Sequence, residues 1–193
     1  MVQYGGGRVG EWDGSSSRKD SPMLAKTIRN WTVIVDGRSM AGLAEDVTLP
    51  ELERATESLR NAGMLGPVET DLGLSGLSLS FTLTEFNEDV LRAWGLFGAG
   101  GIPVRFLAGA RSDENDANTD AIEVAVRGRW KKISHGTAKL GEVAKMTVEV
   151  PCSYYRYRVN GETVIEIDLI AGTEIVDGID RQADIRKAIG LVS

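Results

Sequence analysis

The sequence has only one cysteine, Cys152, and one histidine, His135, among its 193 residues. A structural zinc site draws four ligands from Cys and His, so one of each excludes it. Cys152 falls on the apolar face of a predicted strand, where we expect a buried, unreactive thiol. His135 precedes Gly136 in a predicted turn, where we expect a solvated side chain. No nucleophile–base arrangement is apparent, so we expect no catalytic residue, no cofactor and no metal.

Long apolar runs are also missing. No segment approaches the roughly 20 residues of a membrane span, and the amino terminus has no apolar signal-peptide core, so we expect neither a membrane anchor nor export by that route. Positive charge is in deficit, with 22 Lys and Arg against 28 Asp and Glu and a net charge of −6. Passive attraction to nucleic acid or anionic lipid is therefore not expected. No carboxylate is singled out by an apolar surround that would tune its pKa, so we do not expect an enzyme.

The strongest pattern that is present, over residues 146–170, predicts a β-hairpin. Apolar and polar side chains alternate from Met146 to Tyr154 and again from Thr163 to Ile170. Asn160-Gly161 between them suits a two-residue type I′ turn. With Val159 opposite Glu162, the predicted register pairs Tyr154 with Ile167, Cys152 with Leu169, Ser153 with Asp168, and Tyr155 with Glu166.

Other alternating segments predict further strands. Residues 31–35 followed by Asp36-Gly37 predict a second hairpin. Leu77, Leu79, Phe81 and Leu83 alternate with hydroxyl residues and predict an amphipathic strand. Residues 47–59, 104–108 and 122–133 are predicted to be extended as well. Residues 60–73 contain three glycines and one proline, which predicts a long loop of the kind that often serves contacts.

Two short helices are predicted. Asn87 is a candidate N-cap for a helix that carries Val90, Leu91, Trp94 and Phe97 and ends at Gly98. Asp180 is a candidate cap for a second helix, with Ile185, Ala188 and Ile189 on one stripe and Gly190 at its end. With about eight strands, the pattern predicts an α+β, mostly β fold. We expect two packed antiparallel sheets, as a sandwich or partly open barrel, with a flanking helix and a short C-terminal helix.

The chain divides into an N-terminal arm, residues 1–22, and one domain, residues 23–193. The arm contains five Gly and four Ser, which predicts flexibility, with Tyr4, Val9 and Trp12 as candidate anchors.

Three weaker motifs have simpler explanations. Residues 116–121 resemble the start of a calcium loop but have Ala121 where Gly is needed and Arg127 where Glu is needed. Gly98-Ala-Gly100-Gly101 follows a helix instead of opening one, and the tyrosines and arginines of 154–158 fit a half-buried strand better than a nucleic-acid surface.

The order of several short motifs is more specific than any one of them. They are Val47-Thr-Leu-Pro-Glu-Leu52, Glu57-Ser-Leu-Arg60, Asn61-Ala-Gly-Met64, Asp71-Leu-Gly-Leu74, Val126-Arg-Gly-Arg129, Cys152-Ser-Tyr-Tyr155, Glu166-Ile-Asp168, Asp177-Gly-Ile-Asp180 and Ile189-Gly-Leu191. From about Leu24 to Leu191 this series resembles the major tail tube protein of contractile-tailed bacteriophages, the family that also supplies the inner tube of R-type pyocins. Asn61-Ala62 departs from the glycines usual in that family, and residues 1–22 have no counterpart in it.

The resemblance implies a structural subunit of a tail inner tube. Six subunits would close into a ring, their inner sheets would join into one barrel, and rings would stack into a hollow tube that conducts double-stranded DNA. The implied partners are other copies of the chain, the sheath, tape-measure, baseplate and tail-terminator proteins. The implied location is the virion, after assembly in the host cytoplasm. The alternatives are the tube of a headless contractile device, pyocin-like or of type VI secretion, and a monomeric ligand-binding β-barrel.

Two sets of residues are assigned to this tube as expectations. An acidic and hydroxylated lumen would let DNA slide without adhering, because affinity for duplexes comes from cationic neutralisation of phosphate. The expected lumen residues are Glu53, Glu57, Ser78, Ser80, Thr82, Glu123, Arg127, Thr147 and Glu149. The expected inter-subunit loop contains Asn61, Gly63, Met64, Leu65, Gly66, Pro67 and Val68.

Overall fold

The computed structural model describes residues 25–96, 98, 100–113 and 119–191. The predictions for the N-terminal arm, for Phe97 and for residues 116–118 of the calcium-like motif lie outside these residues. The elements of the described part are β1 (Thr27–Val35), β2 (Arg38–Ser39), β3 (Ala44–Thr48), β4 (Arg54–Leu59), β5 (Val68–Leu74), β6 (Ser78–Leu83), α1 (Glu88–Arg92), β7 (Ile102–Arg111), β8 (Thr119–Gly128), β9 (Lys132–His135), β10 (Met146–Val159), β11 (Glu162–Asp168), β12 (Thr173–Val176), β13 (Ile179–Asp180) and α2 (Ala183–Ala188).

Two antiparallel sheets share the long strand β10. The large sheet has the order β13-β12-β11-β10-β8-β7-β1-β2, and the small sheet has the order β3-β6-β10-β9. Among the described residues, strands β4 and β5 pair only with each other, and we call this hairpin the arm hairpin. The core lies between the sheets, where Val104, Phe106 and Val126 of the large sheet meet Phe81 and Val148 of the small one. The predicted fold class, mostly β with two packed sheets and two short helices, is confirmed.

Strand β10 changes sheets at Pro151 and Cys152. Residues 146–151 pair with β6, and from Cys152 onward the strand pairs with β8. Proline removes one N–H from the ladder at this point, and Ser153 bulges out of the pairing with β8. The bulge reverses the side-chain alternation, so that Cys152 and Tyr155 both point into the core.

The predicted hairpin of residues 146–170 forms, but its predicted register is wrong away from the turn. Val159 faces Glu162 as expected, and Asn160 and Gly161 have φ values of 52° and 86°. Val164 then forms a bulge that shifts the partners by one residue, so the observed pairs include Tyr154–Asp168 and Tyr155–Ile167. This shift places the buried Tyr155 opposite the buried Ile167, which the uniform register would have separated.

Two other predicted elements need correction. The segment 122–133 is not one strand, because β8 ends at Gly128 and β9 begins at Lys132 in the other sheet. Trp130 between them turns into the core and donates from Nε1 to the carbonyl oxygen of Val90 at 2.9 Å. Helix α1 is capped by Asn87 as predicted, but it ends at Arg92, well before Gly98. The positive φ of Gly95, 85°, turns the chain there and leaves Trp94 exposed.

The turn at Asp36-Gly37 is confirmed, and Asp177-Gly178 forms a third turn of the same kind. Helix α2 begins after Gln182, whose N–H donates to the Asp180 carboxylate, so Asp180 supports the preceding turn and is not itself the N-cap. The helix stops before Gly190 as predicted: Gly190 has a positive φ of 79°, and the N–H of Leu191 donates to the carbonyl oxygen of Arg186 at 2.9 Å.

Candidate interaction surfaces

The outer face of the small sheet is polar from one edge to the other. Backbone pairing places its residues in two rows, each crossing β3, β6, β10 and β9 in that order. The rows are Asp46–Thr82–Thr147–Ser134 and Thr48–Ser80–Glu149–Lys132. Ser78, opposite Pro151, extends the face by one more hydroxyl. Five of the expected lumen residues, Ser78, Ser80, Thr82, Thr147 and Glu149, therefore share this face.

Charge on the small-sheet face is nearly balanced and slightly negative. Lys132 is the one cation in the two rows, and its Nζ lies 3.1 Å from Oε1 of Glu149. Asp46 adds a second carboxylate, and in the described part of the chain it has no ion-pair partner. Thr82 is almost covered by its neighbours, and its hydroxyl lies 3.0 Å from that of Thr147. Within these two rows hydroxyl groups therefore dominate, and the one cation is paired.

The outer face of the large sheet has the opposite character. The arginines of β7, β8 and β10 outnumber the carboxylates; the residues are Arg105, Arg127, Arg156 and Arg158 against Glu123, Glu166 and Asp168. Glu123 lies 3.1 Å from Arg105 and 3.9 Å from both Arg156 and Arg158. Arg127 stacks on the Tyr154 ring at 4.2 Å and pairs with Asp168 at 3.5 Å. Two expected lumen residues, Glu123 and Arg127, therefore lie across the core from the other five.

The arm hairpin projects from the domain with its side chains exposed. Every residue of β4 is exposed, as are residues 68–72 of β5. Residues 68–73, predicted to be loop, are strand paired with β4, so the connecting loop is only 60–67. Leu65 in that loop is fully exposed. Glu57 lies on β4 and Glu53 just before it, so the structure does not bring these two expected lumen residues to the small-sheet face.

The base of the arm hairpin contacts strand β12, the second strand from one edge of the large sheet. Arg54 pairs with Glu174 on β12 and lies 3.4 Å from Asp71. A groove of about 270 Å³ runs from Leu74 to helix α2, whose Ile185 and Ile189 are exposed. The sequence predicted this apolar helical stripe but gave no signal that it would stay uncovered within the subunit.

The structure defines the surroundings of three ionisable side chains, Cys152, His135 and Asp180. Burial raises the pKa of the Cys152 thiol to about 11. His135 ends β9 opposite Met146 and contacts the Phe86 ring, so it belongs to a strand end and not to a turn. His135 lies opposite Met146, and Cys152 is six residues further along β10, which corresponds to roughly 20 Å. The Cys152 thiol and the His135 ring are therefore far apart. Hydrogen bonds first from Arg186 and then from the Gln182 N–H lower the pKa of Asp180 to about 2.

Within the described residues, neither helix has the length or apolar character needed to cross a bilayer. The same residues contain no cluster of three or more His, Cys, Asp or Glu side chains able to hold a metal ion. Sequence reasoning missed three charged residues at the small-sheet edges, Asp46, Lys131 and Lys132; the lysine pair next to Trp130 was the available signal.

Comparison with known proteins identifies two similar phage proteins and one family. The family model of the phage tail tube protein FII matches residues 25–190. The tail tube protein of Escherichia phage P2 is 38% identical over 173 residues, which cover 87% of this chain and 99% of that protein. The major tail tube protein of Serratia phage KSP20 is 32% identical over 171 residues, which cover 87% of this chain and 98% of that protein.

Two solved structures share the fold at low sequence identity. The sheath/tube terminator of the extracellular contractile injection system PVC has a TM-score of 0.54 at 7% identity, covering 72% of this chain and 99% of that one. The tube-terminating cap of the anti-feeding prophage has a TM-score of 0.54 at 9% identity, covering 74% of this chain and 98% of that one. At these identities the likeness shows a common fold and nothing more.

Proposed function

Because this chain belongs to the phage tail tube protein family, we propose that six copies close into a ring and that stacked rings form the DNA-conducting inner tube of a phage tail. The chain is a structural tail component. Closure of the ring, stacking of the rings and passage of DNA through the tube are what we propose for this chain. The observation that supports it best is the small sheet, which has a hydroxyl-rich outer face and, among the described residues, two edge strands with no partner on their outer side.

The small sheet can be joined to copies of itself. In the described part of the chain, β3 pairs only with β6 and β9 pairs only with β10. Edge strands present unpaired N–H and C=O groups that favour pairing with another strand. Rotation of the subunit about an axis along the strands would place β9 of one copy beside β3 of the next, and closure would remove every such edge.

The small-sheet face is the better candidate for the lumen. Lys132 is its one cation in the two rows and is already paired with Glu149. The large-sheet face has more arginines than carboxylates and would attract phosphate. Since duplex affinity depends on neutralising phosphates with cations, a wall of hydroxyls with no spare cation would let DNA pass without adhering. We therefore centre the proposed lumen on Ser78, Ser80, Thr82, Thr147 and Glu149.

Four of the residues first assigned to the lumen occupy other surfaces. Glu123 and Arg127 lie on the large-sheet face, and Glu53 and Glu57 lie on or beside the arm hairpin. In the proposed ring the large-sheet face points outward, toward a surrounding sheath. The arm hairpin, with the exposed Leu65 at its loop, would reach a neighbouring copy. Tape-measure, baseplate and terminator proteins complete the proposed set of partners.

The alternatives are less well supported. A monomeric ligand-binding barrel needs an empty interior, whereas the space between the two sheets holds a cluster of buried side chains in which Phe81 and Trp130 pack edge to face at 6.0 Å. A headless contractile device would use the same ring. The two phage relatives at 32% and 38% identity favour the tail of a DNA-containing particle.

Charge reversal on the proposed lumen tests this function. In phage particles whose tail carries Glu149→Lys, Lys132 loses its partner and every ring gains cations facing the channel. We expect normal tubes by negative-stain microscopy but at least tenfold less DNA delivered per adsorbed particle. Glu162→Lys makes the same charge change at the exposed start of β11 and should deliver DNA normally. Unchanged DNA delivery by the Glu149→Lys particles would contradict the assignment of the small-sheet face to the lumen. Purified wild-type protein that forms neither rings nor tubes would contradict the proposed ring.

A further inference from the structure

The two free edges of the small sheet carry opposite charge. Glu45 and Asp46 lie on β3, and we call them the acidic edge. Lys132 begins β9 and Lys131 directly precedes it, and we call them the basic edge. All four residues are exposed. The sequence alone does not reveal this arrangement, because the two pairs are more than 80 residues apart and reach opposite edges only through the order of the sheet.

We propose that the acidic edge of one subunit binds the basic edge of the next copy around the ring, with Asp46 paired to the lysines at 131 and 132. This proposal rests on the proposed function, since it requires a ring. It assigns the ring contact to named strands, gives the contact a direction, and identifies the ion pair that fixes which edges meet.

After the ion pairs within the subunit are counted, one carboxylate and one ammonium group at these edges have no partner in the described residues. Glu45 forms an ion pair with Lys145, with 2.5 Å between Oε1 and Nζ, and Lys132 forms an ion pair with Glu149, with 3.1 Å between Nζ and Oε1. Asp46 and Lys131, by contrast, form no ion pair with any residue in the described ranges. A free carboxylate therefore remains on one edge and a free ammonium on the other. Opposite charges on facing surfaces select the correct partner and suppress contacts between like edges.

Strand direction agrees with this contact. Strand β3 runs parallel to β10 and β9 runs parallel to β6, because every neighbouring pair in the sheet is antiparallel. Copies related by rotation about an axis along the strands keep these directions. Strand β9 of one copy then meets β3 of the next in antiparallel orientation, which permits perpendicular backbone hydrogen bonds.

The side-chain rows continue across the contact. Val47, Phe81, Val148 and Ile133 form one inward-facing row, with half-buried Val47 and Ile133 at its two ends. Pairing of the edges would bring those two side chains together over the core. On the outer face Asp46 lies one row away from Lys132. Closing a barrel requires a register stagger, and the long lysine side chain spans such a step.

The edges of the large sheet are poorer candidates. Strands β2 and β13 contain two residues each, too few for a continuous ladder. Short edge strands are one way in which proteins prevent unwanted pairing. The small sheet, whose edges contain five and four residues, is therefore the one available for ring closure.

Two charge reversals and their mixture test the contact in the full chain. Asp46→Lys and Lys131→Asp each put like charges across the contact, and each alone should lose pelletable rings and tubes while keeping the β-rich circular dichroism of the wild type. A 1:1 mixture restores opposite charges at every contact between unlike copies, so an even-numbered ring should assemble again. Glu162→Lys and Lys187→Asp are the matched controls on β11 and α2 and should assemble normally.

A second measurement uses unmodified protein, in case a variant fails to fold. Wild-type tubes made from isotopically light and heavy chains are treated with a zero-length carbodiimide, and mass spectrometry should find mixed-label peptides joining Asp46 to Lys131 or Lys132. Three results would each contradict the edge contact without contradicting the ring: wild-type tubes without this cross-link, Asp46→Lys protein that assembles normally, or a mixture of the two variants that stays unassembled. Wild-type protein that forms no ring would overturn the proposed function and the edge contact with it.

Discussion

Gly128, the last residue of β8, lies against the carbonyl oxygen of Pro151 in β10. A Cβ atom on Gly128 would be 2.3 Å from that oxygen and 2.7 Å from Cγ1 of Val150. This close approach occurs where β10 passes from the small sheet to the large one. Only a residue without a Cβ atom fits so close to the backbone of β10.

Replacement of Gly128 by alanine should therefore destabilise the fold. The nearest obstacle is backbone, which cannot rotate away, so we expect a loss of about 1–3 kcal/mol in the free energy of unfolding. Urea denaturation followed by tryptophan fluorescence measures it. Gly76→Ala is the matched control, because a Cβ there meets nothing within 4 Å, and we expect a change of no more than about 0.5 kcal/mol. Equal stability of the two variants would contradict the close approach.

The Cys152 thiol should resist modification in the folded protein. Burial raises its pKa from 9.0 to about 11, so the thiolate fraction at pH 8 is lower by about 100-fold, and access is restricted as well. Reaction with a disulfide reagent should be slower by at least that factor than in urea. A Cys152→Ser/Ser58→Cys variant moves the single thiol to the exposed arm hairpin and should react rapidly without denaturant. Fast labelling of native wild type would show that β10 opens.

Asp180 should make the C-terminal region sensitive to acid. Its folded-state pKa, about 2, is below the ordinary value of 3.8, so the carboxylate stabilises the folded form above about pH 4, and this contribution is lost as the pH falls from about 4 to 2. Asp180→Asn should have a lower Tm than wild type at pH 7, with the two values converging between pH 4 and 2. Glu162→Gln should show no such convergence. A constant difference down to pH 2 would exclude Asp180 as the cause.

Leu65 should matter for assembly and not for folding. Its side chain is fully exposed at the loop of the arm hairpin, so Leu65→Asp should leave the Tm of the monomer within about 1 °C of wild type, since it removes no intramolecular contact. In the proposed tube it would abolish stacking, measured as loss of fast-sedimenting material. Leu65→Met keeps the apolar character and should still assemble. If Leu65→Asp protein forms normal tubes, the loop of the arm hairpin does not contribute to the contact between stacked rings.

Local sequence predicted the elements that depend on local chemistry. Asn160-Gly161 and Asp36-Gly37 were recognisable as turns because few residue pairs accept two positive φ angles in succession. The alternation from Leu77 to Leu83 predicted a strand with one buried face, and all four apolar members are buried. Asn87 was recognisable as a cap because its side chain can replace a missing backbone acceptor.

The predictions failed where a single inserted residue changed the pattern. The bulges at Ser153 and Val164 each shift a register by one, and nothing in the residue types announces them. The polar residues first grouped as one lumen surface are split between the small-sheet face, the large-sheet face and the arm hairpin. Alternation shows that two residues of one strand share a side, but it cannot show which sides of different strands face the same way.

The sequence by itself determined the turns, the amphipathic strands and the resemblance to a tail tube protein, because each depends on residues that are close in the chain or on motifs in a fixed order. The tertiary structure alone decided that β10 belongs to two sheets, that the arginines and hydroxyls lie on opposite faces, and that Asp46 and Lys131 stand at opposite edges. The physical reason is that strand order and bulges depend on packing between distant segments, and packing decides which polar side chains meet.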